Sequence, residues 1–255
     1  MTSIAATGAL RNPWSPDDSR VPAALLDAEI TNLRVIYDSS NYVFLADLLH
    51  PELGPGLGIY KPEQGERPLH DFPYGTLHLR EVAAYECSRL LGWNLVPPTV
   101  GRDGPHGEGS MQLFIEHNPA EHYFHLREAD RFDDQLVRIA AFDLIANNAD
   151  RKGGHVLRAA DEHLWCIDNG LCFHAHQKLR TVVWDYAGTR LPDDWLADVR
   201  RLRDCLADAD DGSAPLRACL DSTELPALLR RCDALLSHPV LPEMFPYRCV
   251  PWPLI

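Results

Sequence analysis

Residues 147–170 read NNADRKGGHVLRAADEHLWCIDNG, and the placement of Asp150, His155 and Asp168 within them governs how the rest of the chain is read. Each of these side chains can bind a metal ion or move a proton. The preceding stretch, DDQLVRIAAFDLIANNADR, sets Leu136, Ile139, Ala140 and Leu144 at helical spacing toward a core. Asp150 therefore falls in a loop directly after a helix, where its carboxylate can reach a substrate. HVLRAADEHLWCIDNG reads as a small hairpin whose first arm holds His155 and whose second delivers Asp168 beside Asn169 and Gly170. Asp143 and Asn148 are read as residues that hold the helix and loop by hydrogen bonds.

Upstream, EITNLRVIYDSSNYVFLADLLH predicts two strands joined by the turn DSSN, and GIYKP a third strand ended by Pro62. TLHLREVAAYECSRLLGWN predicts a helix with Ala83, Cys87, Leu90 and Leu91 on one face and Gly92 as its stop. VPPTVGRDGPHGEGSMQLFIEH reads as a hairpin around a glycine-rich turn. Residues 1–20 read as a flexible leader, and VPAALLDAE as a short helix or the approach to the first strand. Downstream, leucines recur at helical intervals in DDWLADVRRLRDCLADAD and STELPALLRRCDALLSH. Strands first and helices later give an α+β plan of two lobes, over 21–117 and 118–255.

Composition narrows the function. The chain has 255 residues and a formal charge of −13. So negative a surface repels phosphate backbones and anionic lipid heads, which argues against nucleic acid and stable membrane association as partners. No apolar run approaches the ~20 residues of a membrane helix. The seven cysteines are odd in number and contain no C-x-x-C pair, so they read as reduced thiols of a cytoplasmic protein. The N-terminus lacks the basic start and apolar run of a signal peptide.

Phosphoryl transfer asks for a group that orients the attacking hydroxyl and for hard oxygen ligands that hold Mg²⁺ on a triphosphate. Asp150 suits the first task and Asp168 the second. The order DRKGGH followed by IDNG resembles the catalytic segment of the phosphatidylinositol 3-/4-kinase and HipA-like branch of the protein-kinase-like fold. There the loop is D-R-H-x-x-N and the metal site D-F-G or a variant. FDLIANNADRKGGHVL…IDNGLCFH is most similar to an actinobacterial family described as phosphatidylinositol 3-/4-kinase-like. Lys152 stands where the branch has a histidine, and His155 where it has a metal-binding asparagine. The resemblance implies that His155 and Asp168 hold the metal, with imidazole tilting the preference from Mg²⁺ toward Mn²⁺.

A kinase reading, with ATP as donor and a hydroxyl of a small molecule, an inositol-type polyol or a protein as acceptor, makes further demands. It needs a strand lysine on the phosphates and a helix glutamate to orient it. Lys61 is the only lysine before residue 152; Glu81 is the expected partner and Glu86 the alternative. Ser39, Ser40 and Asn41 lie where a phosphate-covering turn belongs, and Phe114, Ile115 and Glu116 where the lobes join and adenine would meet the backbone. His174, His176, Lys178 and Arg180 form a local basic patch suited to an anionic substrate. Two other readings stay open: a nucleotide-binding pseudokinase that regulates a partner, and a metal-dependent hydrolase using His155 or the His174/His176 pair.

Overall fold

The protein is described here by a computed structural model covering residues 10–36 and 41–255. Helix α1 (Val21–Asp27) precedes strands β1 (Glu29–Ile36), β2 (Val43–His50) and β3 (Gly54–Pro62). Helix α2 (Leu77–Leu91) is followed by β4 (Thr99–Gly104) and β5 (Gly107–Leu113). Next come α3 (Tyr123–Leu126), α4 (Asp133–Ala146) and the hairpin β6 (Val156–Arg158) to β7 (Leu164–Cys166). Helices α5 (Asp193–Ala207), α6 (Ala214–Ala218) and α7 (Glu224–Ser237) complete the order. Among the described residues, β1 to β5 form one antiparallel sheet in the order β1-β2-β3-β5-β4. The architecture is α+β, a strand-rich lobe followed by a helical one.

The alternation of β3 positions the site. Gly56, Gly58 and Tyr60 are buried on one face, so Ile59 and Lys61 turn to the other. A Cβ on Gly58 would lie 2.6 Å from the Met111 sulfur, and one on Gly56 would overlap the Trp14 indole. Those glycines let the core close on that face while Lys61 points into the cleft.

Helix α2 ends at Gly92, whose φ of +73° supplies a left-handed C-cap. Its buried Ala83, Ala84, Cys87 and Leu91 join one apolar core with Leu136, Ile139 and Phe142 of α4, Leu202 of α5 and Leu228 of α7. The other large core gathers Phe44, Tyr60 and Met111 of the sheet with Leu157 and Trp165 of the β6–β7 hairpin. Each lobe thus lends an element to the other's core, which fixes the cleft between them.

The leader expectation needs correction over residues 10–20. Trp14 is buried against the sheet, and Asn12 Nδ2 donates to the carbonyls of Leu57 (3.0 Å) and Phe114 (2.8 Å). Buried apolar area and paired backbone groups hold this segment in place; polar composition alone suggested otherwise. Residues 1–9 lie outside the described residues. All seven cysteines are free thiols. Among the described residues, no helix is long and apolar enough to cross a membrane.

Candidate active site

Helix α4 stops at Asn147, which takes the left-handed conformation at φ +53°. Its side chain then organises the segment opposite: Nδ2 donates to the carbonyls of His174 and His176, and Oδ1 accepts the Lys178 amide at 2.9 Å. The next residue, Asn148, accepts the Asp150 amide at 2.9 Å and donates to Asp143. Asp150 is thereby held at the cleft with its carboxylate 2.7 Å from Lys152 Nζ. Burial raises the Asp150 pKa against the opposing pull of Lys152.

Arg151 turns away from Asp150 altogether. Its fully buried guanidinium donates to Asp143 (3.0 Å), the Ile167 carbonyl (2.8 Å) and Asn169 Oδ1 (2.6 Å). Burial opposes that charge, but Asp143 outweighs it and holds the group above the usual arginine range. One side chain therefore staples the loop carrying Asp150 to the loop carrying Asp168. Asp143 also accepts from Thr181 Oγ1 at 3.0 Å, bringing a third segment to the same point.

Asp168 adopts φ +56°, a left-handed conformation uncommon for a residue with a side chain. Its half-exposed carboxylate meets Lys61 Nζ at 2.9 Å and His155 Nε2 at 3.3 Å. Lys61 also pairs with the buried Glu81 of α2, whose second oxygen accepts the Asn169 amide at 3.0 Å. Burial works against the Lys61 charge, yet Asp168 and Glu81 hold its pKa above the usual lysine range. The Lys61 charge in turn keeps Asp168 well below the usual carboxylate range, against burial. Glu86 instead pairs with Arg89 at 2.7 Å on the same helix.

His155 is largely buried, and burial lowers its pKa to about 4 despite Asp168. The ring is neutral at pH 7, as metal ligation requires. Its Nδ1 lies 3.3 Å from the Lys152 amide, which donates to it, so in this arrangement the ring proton sits on Nε2 and faces Asp168. Ligation through Nε2 needs the other tautomer. The Asp168 carboxylate fits a hard divalent ion outright, whereas His155 fits only if its loop releases the Lys152 amide. Among the described residues no group of three or more His, Cys, Asp or Glu side chains is placed to hold a metal, and His174 Nδ1 accepts the His176 amide at 3.0 Å. A Mg²⁺ that keeps waters and substrate phosphates needs only one or two protein ligands.

The remaining expected residues divide. Lys61, Glu81, His155 and Asp168 converge, and the Arg151 staple sets Asp150 on the adjoining loop. Asn41 Oδ1 accepts the Arg67 amide at 3.0 Å and so braces the segment after β3; Ser39 and Ser40 lie outside the described residues. Phe114 donates its amide to the Leu57 carbonyl (3.1 Å) and accepts from Asn12 at its own carbonyl. Glu116 takes the Asn12 amide at 2.6 Å and Arg11 at 3.0 Å. The Ile115 carbonyl lies 2.8 Å from His117 Nδ1. Sequence reasoning missed the Arg151 staple and the Lys152 pairing, and it also missed residues 249–254. There the Leu254 carbonyl accepts the Gly153 amide at 2.7 Å and the Cys249 carbonyl the Thr181 amide at 3.0 Å. An arginine eight residues after a helix aspartate was the one available signal for the staple; nothing in PWPLI marks a contact.

A strand lysine, a helix glutamate and an aspartate after a hairpin, met in a cleft between two lobes, define an atypical protein-kinase-like fold. Solved structures share it. The crystal structure of the Golgi casein kinase superposes with a TM-score of 0.50 at 15% identity, covering 88% of this chain and 75% of that one. The structure of hydra Fam20 with sugar gives 0.52 at 16% identity, covering 85% and 86%. In sequence, the chain is 40% identical over 268 aligned positions to Protein Rv2133c of Mycobacterium tuberculosis strain H37Rv, covering 91% of this chain and 94% of that protein. The chain belongs to the family of Protein Rv2133c. No family model matches it.

Proposed function

We propose that the chain is an ATP-dependent phosphotransferase acting on a hydroxyl group, of the phosphatidylinositol 3-/4-kinase-like and HipA-like type. The observation that carries this reading is Lys61 bridging Glu81 and Asp168 across the cleft. Such an ammonium, held charged and aimed by a buried carboxylate, suits triphosphate oxygens. The strand-rich lobe, 21–117, would bind the nucleotide, and 118–255 would carry the chemistry. Ser39, Ser40 and Asn41 are assigned to the phosphates. The base is assigned to the segment Phe114–Glu116, through backbone groups other than those Phe114 commits to Leu57 and Asn12.

Asp150 orients the acceptor hydroxyl and takes its proton as the oxygen bonds to the γ-phosphorus and the bond to the β-phosphate oxygen breaks, leaving ADP. Burial favours that role, because a raised pKa makes the carboxylate a better base. Lys152, now paired with Asp150, lies where it can follow the charge onto the transferring phosphoryl group. Asp168, with His155 in its Nδ1–H tautomer, would hold Mg²⁺ or Mn²⁺. A divalent ion there would neutralise phosphate oxygens and fix their geometry.

A second reading is a nucleotide-binding pseudokinase. It is favoured by the Lys152 amide facing His155 Nδ1, which leaves the ring as a donor to Asp168. Melting temperature with ATP plus Mg²⁺ or Mn²⁺, followed by ATP consumption, separates the two in the parent and in Asp168→Asn. A phosphotransferase gains stability with nucleotide, consumes ATP, and loses turnover in the variant. A pseudokinase gains stability without consumption. A protein that ignores ATP in both assays is neither.

A further inference from the structure

The sequence collects His174, His176, Lys178 and Arg180 into one basic patch, but the fold separates them. His174 packs edge-on against Phe72 with ring centres 5.2 Å apart, and its Nδ1 accepts the His176 amide. Lys178 Nζ is 2.7 Å from Asp71. The Arg180 guanidinium, in contrast, makes no hydrogen bond or ion pair with any described residue, although its backbone is pinned. Its amide donates to the Asn148 carbonyl at 2.8 Å, and its carbonyl accepts the Arg151 amide at 3.0 Å.

Register then fixes where this cation points. Arg151 and Thr181 are bridged in parallel, and both side chains reach inward to Asp143. Alternation turns their predecessors, Asp150 and Arg180, to the opposite face, side by side. The electrostatics agree, since the Arg180 charge acts on Asp150 and on Asp71. Each of those carboxylates already has its own lysine, Lys152 and Lys178. Arg180 is thus left with no carboxylate of its own in direct contact among the described residues.

We propose that Arg180 is the anion-recognition residue of the acceptor site, binding an oxyanion, phosphate or carboxylate, carried by the hydroxyl compound that Asp150 engages. The planar guanidinium presents paired N–H donors that match such a group, and its partial burial strengthens the pairing. The assignment rests on the phosphotransferase reading for the identity of the neighbouring site, but the anion site can be tested separately.

Inorganic phosphate is the probe, titrated calorimetrically into parent and Arg180→Gln saturated with a non-hydrolysable ATP analogue and Mg²⁺. The parent should bind phosphate saturably and the variant at least about tenfold more weakly, the effect of one charge-assisted hydrogen bond. Affinity for the analogue should agree within about twofold between the two, since Arg180 serves the acceptor and not the nucleotide. Equal phosphate affinities, or no saturable binding in the parent, would overturn the proposal. So would a matching loss of analogue affinity, which would assign Arg180 to the nucleotide. If the analogue fails to bind the parent, the phosphotransferase reading fails. The same titration without nucleotide then still decides Arg180, by whether phosphate binding is lost or kept in the variant. Unchanged melting temperature verifies that Arg180→Gln is folded.

Discussion

His155 combines burial, one ring tautomer and a carboxylate contact in a single side chain. The unfolded chain takes up its proton near pH 6.5, whereas the folded ring, buried and neutral, resists until about pH 4. Between those values the unfolded state binds more protons, so stability falls as pH drops through that window and levels off below it. The loss reaches at most about 3 kcal/mol near pH 4. Metal-free His155→Asn should lack this component, giving a flatter curve of denaturation midpoint against pH from 6.5 to 4. Parallel curves for the two proteins would show that the folded ring takes up its proton no later than the unfolded one, so that burial does not depress it. At this scale much was legible in the sequence. An isolated strand lysine, an aspartate before Asn-Gly and a histidine at a hairpin start are residue types with few roles, and the structure gathers Lys61, Asp168 and His155 in contact. Arg151 was not legible. Nothing in its immediate sequence neighbourhood marks an arginine for burial, and only the fold shows it buried on Asp143.

At the scale of elements, helix α2 decides whether Glu81 reaches Lys61. One residue before Glu81, Arg80 is almost fully buried; it pairs with Glu224 of α7 and donates to the Cys172 carbonyl at 2.6 Å. The guanidinium also stacks on Phe72, 4.9 Å from the ring centre. Arg80 thus clamps α2 to the helical lobe in the position that Glu81 requires. Arg80→Met should leave Glu224 buried without its partner and cost about 3–5 kcal/mol. Urea denaturation measures that cost, and faster amide exchange across residues 77–91 would register the loosened helix. A loss within about 0.5 kcal/mol, the range of an ordinary surface substitution, would place the hold on α2 elsewhere. The helix itself was readable from Ala83, Cys87 and Leu91 and from the stop at Gly92. Its partners were not, because Glu224 lies 144 residues away and apolar periodicity says only that a face is covered.

Across the whole molecule, both ends of the described chain return to the cleft. Residues 11–12 grip Glu116 and Phe114 where the lobes join, and residues 249–254 lie along the loops that carry Asp150 and Arg180. Neither was legible, since short polar or proline-rich segments carry no periodicity and their contacts are mostly backbone carbonyls. The second contact makes a directional prediction. Gly153 sits between Phe124 and the Leu254 carbonyl, so the loop from Asp150 to His155 has one wall from α3 and another from the last residues. Removing residues 250–255 deletes the acceptor of the Gly153 amide but leaves the Arg151 staple and both large cores intact. Global stability should fall by only about 1–2 kcal/mol, the net worth of a hydrogen bond and of the buried Pro251. Exchange of the Gly153 amide should rise by an order of magnitude or more, roughly the opening of one local contact. Amides of β2 and β3 should keep their protection, because the sheet makes no bond to this segment. Hydrogen exchange resolved by peptide checks both halves at once. Unchanged protection at Gly153 would mean that the conformation of the loop from Asp150 to His155 is set from within, by Asn148 and Arg151 alone.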